Sequence, residues 1–204
     1  MLSFRTFWYD LKQNRSMLVV ATILFVFGVI AGIIWSEPLG NYLTSQLEQL
    51  RSVSNQLKQG GNVQMNYFLF IFFNNAVKSI LVLLFGFFIG IIPAFFLVMN
   101  GMIIGYLLHA SSLQGANVTE LIVKGLLPHG IIEIPAIIIA SAYGLKFGKL
   151  MLDTITTWNK SGRQRLQSER RSFLRSIIPA SVWIVILLFV AAIIESTFTY
   201  WLMS

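Results

Sequence analysis

Apolar residues along the chain are collected into long stretches, and short polar segments separate one stretch from the next. Residues 17–35 contain no charged side chain and come close to the ~20 residues that an α-helix needs to cross the hydrocarbon of a bilayer. Stretches of this length and continuity are typical of transmembrane helices. The pattern therefore predicts an all-α, polytopic membrane helical bundle.

Residues 67–110 form an apolar stretch that is too long for one crossing. As a single straight helix it would reach about 66 Å at ~1.5 Å per residue, roughly twice the thickness of the bilayer core. The chain must therefore turn back, and Gly90, Pro93 and Asn100 with Gly101 are the available helix breakers. We expect a second span at 67–92 and a third at 96–112.

Two further spans follow, at 128–147 and 177–203. Pro128 divides the apolar stretch that begins near Glu120, so residues 119–127 are expected to form a broken or re-entrant segment and Pro128 to begin the span proper. The count is then about five spans, with one membrane domain over residues 1–204 and a loop at 148–176.

The composition supports the membrane assignment, because 56% of the 204 residues are hydrophobic and only 11% are charged. Cysteine is absent, which excludes disulfides and thiolate metal sites. Most of the fifteen lysines and arginines lie in residues 1–16 and 145–176, where they flank apolar spans. This placement predicts a cell-membrane, multi-pass protein with a cytoplasmic N-terminus and contact with anionic inner-leaflet lipids, and it argues against nucleic acid as a partner.

The outer loop at 36–66 is polar and nearly balanced in charge. Leucines at near-helical spacing and the Gly60–Gly61 pair predict an amphipathic helix at about 41–59. Such a helix would cover the mouth of the bundle or bind an extracytoplasmic protein partner.

Glycines four residues apart occur in several spans, and this spacing lets helix backbones approach closely in lipid. These pairs predict tight helix packing, either within one chain or across a homodimer. The pairs are Gly28 with Gly32, Gly86 with Gly90, Gly101 with Gly105, and Gly144 with Gly148.

Polar residues inside the apolar spans are the candidate functional residues, because a polar group in hydrocarbon needs a partner. By the predicted topology most of them fall in the outer half of the membrane, where they are expected to form one cluster. The candidates are Asn74, Asn75, Lys78, His109, His129, Glu133 and Glu195.

His129 and Glu133 share one face of a helix, and four interpretations of this pair compete. It joins helices structurally, or it lines a pathway for an ion, a proton or a small solute. It contributes two ligands to a metal site, which would need at least one more. Membrane hydrolase chemistry is the fourth, and no further catalytic group accompanies the pair. We expect no cofactor, no metal and no enzymatic activity.

A series of polar, glycine and proline residues stands in a distinctive order between Asn74 and Gly148. It comprises Asn74–Asn75, Gly86-x-x-x-Gly90-x-x-Pro93, Asn100-Gly101-x-x-x-Gly105, and Leu127-Pro128-His129-Gly130-x-x-Glu133-x-Pro135-Ala136 followed by Gly144. This order resembles the stage II sporulation protein M family of bacterial and archaeal membrane proteins. The P-H-G-x-x-E block is the most specific part of the resemblance.

The resemblance implies a non-enzymatic membrane scaffold or assembly factor. The sporulation member acts with peptidoglycan-degrading partners in the membrane that migrates around the forespore, and it is thought to anchor them there. The family has no agreed catalytic residues, so none is transferred to this chain. The alternative hypothesis is a transporter or channel for an ion, a proton or a small solute, with His129 and Glu133 in the pathway.

Overall fold

The computed structural model describes residues 3–36, 62–115, 117–157 and 160–203, with residues 40, 45, 48, 52 and 55 between them. Over these residues the regular secondary structure is entirely helical, which confirms the all-α prediction. The helices are α1 (Phe4–Gln13), α2 (Arg15–Ile34), α3 (Val63–Phe85), α4 (Ile91–Leu113), α5 (Val118–Glu120), a π-helix (Leu121–Leu126), α6 (Leu127–Thr156) and α7 (Lys160–Met203). The amphipathic helix expected at 41–59 lies mostly outside the described residues.

Five helices in the described part of the chain are long and apolar enough to cross a membrane, in agreement with the predicted count. These are α2, α3, α4, residues Gly130–Thr156 of α6 and residues Gly162–Thr197 of α7. The connections between α3 and α4 and between α4 and α5 are short, so consecutive spans run in opposite directions.

The turn between the second and third spans comes earlier than the sequence predicted. The second span was expected to continue to residue 92, but α3 ends at Phe85 and α4 begins at Ile91. Gly90 adopts a left-handed conformation with φ of 76°, which glycine tolerates without steric cost and which reverses the chain. Pro93 lies in the first turn of α4, where its missing N–H leaves no hydrogen bond unmade.

The segment before Pro128 is helical throughout. Asn117 accepts hydrogen bonds from the backbone N–H groups of Thr119 and Glu120 and so caps α5. The wider π-helical turns of Leu121–Leu126 then lead directly into α6, with Pro128 in its first turn. Where the sequence predicted a broken or re-entrant segment, the structure therefore has a local change between α-helix and π-helix.

The expected loop at 148–176 is the clearest departure from the prediction. In the structure α6 continues to Thr156 and α7 begins at Lys160, so a helical hairpin replaces the loop. The reason is that apolar residues continue at helical spacing on its inner side, where Leu150, Leu166 and Phe173 are buried. At ~1.5 Å per residue the 44 residues of α7 extend about 66 Å, well beyond a bilayer core of ~30 Å.

Helix α6 lies at the centre of the bundle because it contributes to both groups of buried apolar side chains. Ala136, Ala140 and Tyr143 pack with residues of α1, α3 and α7. On its other side Ile137 and Ala142 pack with residues of α2 and α4. Every other span therefore contacts the helix that carries Glu133.

Two helix pairs are packed backbone to backbone through the glycines. In the α2–α4 pair, a Cβ atom added at Gly28 or Gly32 would overlap the carbonyl groups of Val98 or Met102 of α4. A Cβ atom added at Gly101 or Gly105 would overlap the backbone of α2 in the same way.

The α3–α6 pair repeats this arrangement at the other side of α6. A Cβ atom at Gly86 would overlap the backbone of Gly144, and one at Gly148 would overlap the backbone of Gly90. The glycine faces that the sequence offered for packing within a chain or between two chains are therefore occupied within this chain.

Candidate functional site

A hydrogen bond inside the membrane region joins α3 to α6. The Asn75 side-chain amide donates to Oε1 of Glu133 at 2.9 Å, and both side chains are half-buried. Asn74 donates in turn to the side-chain oxygen of Asn75 at 3.4 Å. These asparagines are one turn from Lys78, which is exposed and exerts an attractive electrostatic effect on the Glu133 carboxyl group.

Helix α7 adds a second carboxyl group to this site. The carboxyl groups of Glu133 and Glu195 are close enough to influence each other electrostatically. Two ionised carboxylates this near would repel each other, so the arrangement is favourable when one of the two groups is protonated. The Oε2 atom of Glu195 is buried and has no hydrogen-bonding partner in the described part of the chain. We call Asn75, Glu133 and Glu195 the carboxyl cluster.

The two histidines among the sequence candidates lie on different helices. His109 is half-buried on α4, and no contact among the described residues joins it to Glu133. His129 lies in the first turn of α6, one turn before Glu133, and its side chain is outside the described part of the structure. Within the described residues no group of three or more metal-ligating side chains comes together.

A further polar contact between α3 and α7 was not predicted. Gln64 donates to the Thr197 hydroxyl at 3.3 Å, near the ends of both helices. Gln64 was assigned to the outer loop because the apolar stretch begins only at Tyr67. Its position about three turns before Asn75 on the same helix was the signal that links it to this end of the bundle.

At the opposite end of the bundle a second polar group joins α1, α2 and α6. The Lys146 ammonium donates to the side-chain oxygen of Asn14 and lies 5.7 Å from the centre of the Phe173 ring. Asn14 is 5% exposed and sits at the junction of α1 and α2. Burial raises the pKa of nearby Asp10, and the Lys146 charge acts in the opposite direction. In the sequence this lysine is one of several basic residues that flank an apolar span.

The part of the chain that contains these residues also matches a known protein family. The model of the stage II sporulation protein M family matches residues 21–200, which include most of the first span, the other four spans and the carboxyl cluster. This chain belongs to the stage II sporulation protein M family. The expectation from the P-H-G-x-x-E block is thereby confirmed, and with five apolar helices the protein is a multi-pass membrane protein. Membership also suggests a sporulation-related protein.

The chain is also similar to the uncharacterized protein MJ0706 of Methanocaldococcus jannaschii. The two are 24% identical over 205 residues, which cover 94% of this chain and 88% of the archaeal protein. No solved structure matches the chain. The archaeal relative carries no described activity, so it extends the fold family without adding a function.

Proposed function

We propose that this member of the stage II sporulation protein M family is a non-enzymatic membrane scaffold or assembly factor that anchors peptidoglycan-remodelling partners during sporulation. The observation that supports the proposal is the close packing of the helices in the bundle. Glycine contacts join α2 to α4 and α3 to α6 at backbone distance, and α6 packs against the other spans. A platform of this kind holds partner-binding surfaces in a fixed relation on both sides of a membrane.

In this proposal the carboxyl cluster determines which helices meet. Asn75 of α3 donates to Glu133 of α6, and Glu195 of α7 lies beside that carboxyl group, so a shift of α3 or α6 would leave a polar group unpaired in hydrocarbon. Gln64 and Thr197 reinforce the α3–α7 contact. The cluster would thus specify helix order while contributing only modest stability.

The proposal is tested by comparing partner capture with ion transport in the same variant. Glu133→Gln keeps the side-chain size and the ability to accept from Asn75, so a scaffold should still co-purify with a peptidoglycan hydrolase after cross-linking in native membranes. The matched control is Glu169→Gln, which makes the same chemical change on the helical hairpin at a side chain that is 43% exposed. If the wild-type protein co-purifies with no peptidoglycan hydrolase from any cross-linking position, the scaffold proposal is wrong.

A proton pathway is the second candidate, and the contact between two carboxyl groups favours it. Ser79, one turn inward from Asn75, and Ser141, about 12 Å from Glu133 by helical rise, have buried hydroxyl groups without partners among the described residues. These groups would extend polarity from the carboxyl cluster toward the inner end. Proton flux into liposomes should then be lost in Glu133→Gln with the fold intact, and equal flux in protein-free liposomes would exclude this function.

A further inference from the structure

A polar cavity lies between α1 and the first part of α7. It has a volume of about 890 Å³ and is open on one side. Its walls are residues of α1 and of the first five turns of α7, a region that the carboxyl cluster does not reach. The lining residues are Thr6, Asp10, Gln164, Gln167, Ser168, Arg171, Ser172, Arg175, Ser176 and Pro179.

The chemistry of the lining fits an anion with several oxygen atoms. Arg171 and Arg175 are one helical turn apart and present two guanidinium groups to the same space. Guanidinium groups match phosphate oxygens in a paired geometry, and the neighbouring serine, threonine and glutamine side chains offer further donors. Neither arginine is engaged in an ion pair within the described residues, whereas Arg165 on the same helix is paired with Glu169 at 2.9 Å.

The cavity lies where α7 becomes continuously apolar, a position that suits contact with lipid headgroups. The apolar part of α7 begins at Ile177, immediately after Arg175 and Ser176. Trp183, two turns deeper than Arg175, packs against Phe4 and Phe7 of α1 with ring centres 5.1 and 6.0 Å apart. Aromatic side chains of this kind are enriched at the boundary between hydrocarbon and headgroups.

The exposed face of α1 also indicates that this region lies near the lipid headgroups. Trp8 and Tyr9 are 52% and 62% exposed, and together with Arg5 and Lys12 they border a second, smaller cavity beside Thr6. An exposed row of aromatic and basic side chains on a short amphipathic helix is typical of a helix that lies in the membrane interface. A lipid headgroup would therefore reach the cavity without leaving the bilayer.

Asp10 is the acidic residue in the lining, and its charge would oppose an anion. Burial raises its pKa above the ordinary value, and the Lys146 charge counteracts this in part. The two arginines outnumber it even when it is fully ionised. The net charge of the cavity lining is therefore positive under all conditions near neutrality.

We propose that the cavity between α1 and α7 binds the phosphate group of an anionic membrane lipid, with Arg171 and Arg175 as the principal contacts. This site is separate from the scaffold surfaces and from the carboxyl cluster. Bound lipid would hold α1 against α7 and so fix the base of the helical hairpin to the inner leaflet.

The test is a titration of the delipidated full chain in non-ionic detergent, followed by native mass spectrometry. Phosphatidylglycerol is the anionic probe, phosphatidylcholine the zwitterionic one, and sodium phosphate the soluble source of the same group. Arg171→Gln with Arg175→Gln should weaken phosphatidylglycerol binding by about tenfold or more. Arg163→Gln with Arg170→Gln removes the same charge from exposed positions of α7 outside the cavity and should change it by no more than about twofold.

Three results would overturn the proposal. Equal loss in both double variants would mean that diffuse positive charge attracts the lipid. Equal binding of phosphatidylcholine and phosphatidylglycerol would remove the requirement for an anionic headgroup. Displacement of the lipid by millimolar phosphate would assign the site to a soluble phosphate compound instead.

A second variant tests the cavity without altering charge or depending on the folding of the arginine variants. Ser172→Leu places an apolar side chain at an exposed position of the lining, so the fold should be retained while the space for a phosphate group is reduced. Phosphatidylglycerol binding should fall by about tenfold. Unchanged binding in a folded Ser172→Leu protein would show that the lipid does not enter this cavity.

Discussion

The bundle is held together in two different ways on the two sides of α6. On the α2–α4 side and along one part of α3–α6, glycines let the backbones touch. At the part of the α3–α6–α7 junction near Asn75, the contact is made by the carboxyl cluster, whose members are only half-buried. The glycine contacts depend on the close fit of the helix backbones, and the carboxyl cluster depends on the charge and protonation of its side chains.

The difference matters because lipid offers no hydrophobic drive for helices to associate. Close packing then supplies much of the stability, and interhelical hydrogen bonds contribute only about 0.6 kcal/mol on average. A protein that needed stability alone would gain little from two glutamates in hydrocarbon. Their presence points to helix specification or to proton chemistry, the two functions proposed for this site.

The largest effect is expected at the glycine contacts. In Gly105→Ala the new Cβ atom would overlap the backbone carbonyl of Val29, which cannot move without separating α2 from α4. Overpacking of this kind should destabilise the protein by about 2–3 kcal/mol, measured by unfolding in mixed micelles.

Gly130→Ala is the matched control for that substitution. A Cβ atom at Gly130 would lie 3.2 Å from Cδ1 of Ile134, the end of a side chain that can rotate away. Its effect should be well under 1 kcal/mol. Similar losses in Gly105→Ala and Gly130→Ala would contradict the backbone contact between α2 and α4.

How much of this could be predicted from the sequence depends on the kind of contact. Apolar length gave the number of spans, and the four-residue glycine spacing identified the closely packed faces before their partners were known. Depth along a helix placed Asn75, Glu133 and Glu195 at the same level of the membrane. It did not determine which of the polar residues at that level face one another, and His109 is accordingly not joined to Glu133 in the described contacts.

The end of the bundle that carries Lys146 and the helical hairpin was the least predictable region. Lys146 looks in the sequence like one more residue of a basic flank, and its bond to Asn14 depends on α1 folding back against α6 and α7. The segment 148–176 was predicted as a loop with an amphipathic first half, and its charged residues concealed the buried positions Leu166 and Phe173 of the second half. In both cases tertiary packing selects among positions that local composition makes equivalent.

The carboxyl cluster should respond more weakly than the glycines. Asn75→Leu leaves Glu133 without its amide donor and should cost about 0.6–1.7 kcal/mol in the same unfolding assay. A double-mutant cycle with Glu133→Leu isolates the pair, since the Asn75 substitution should cost much less once Glu133 is gone. Additive losses would indicate that the two side chains do not interact.

Lys146 tests the polar contact at the inner end. Lys146→Met keeps an unbranched side chain one atom shorter but leaves the buried side chain of Asn14 without its donor, so a loss of about 1 kcal/mol is expected. Lys149→Met is the control, because Lys149 lies on the same helix and is exposed. If both lysines can be replaced at the same small cost, the contact with Asn14 does not contribute to stability.

Asp10 should give the smallest effect and the only one with a defined dependence on pH. Its pKa in the folded protein is raised above the ordinary value of 3.8, chiefly by burial, so the folded state keeps the proton to higher pH than the unfolded state does. The stability that this group contributes is therefore fully present below pH 3.8 and is lost as pH rises through the folded pKa. Asp10→Asn stays neutral throughout, so its melting temperature should exceed that of the wild type at pH 7, and the difference should shrink toward pH 4. Asp153→Asn, outside the α1–α7 cavity, serves as the control, and a difference that grows on acidification would contradict the assigned direction.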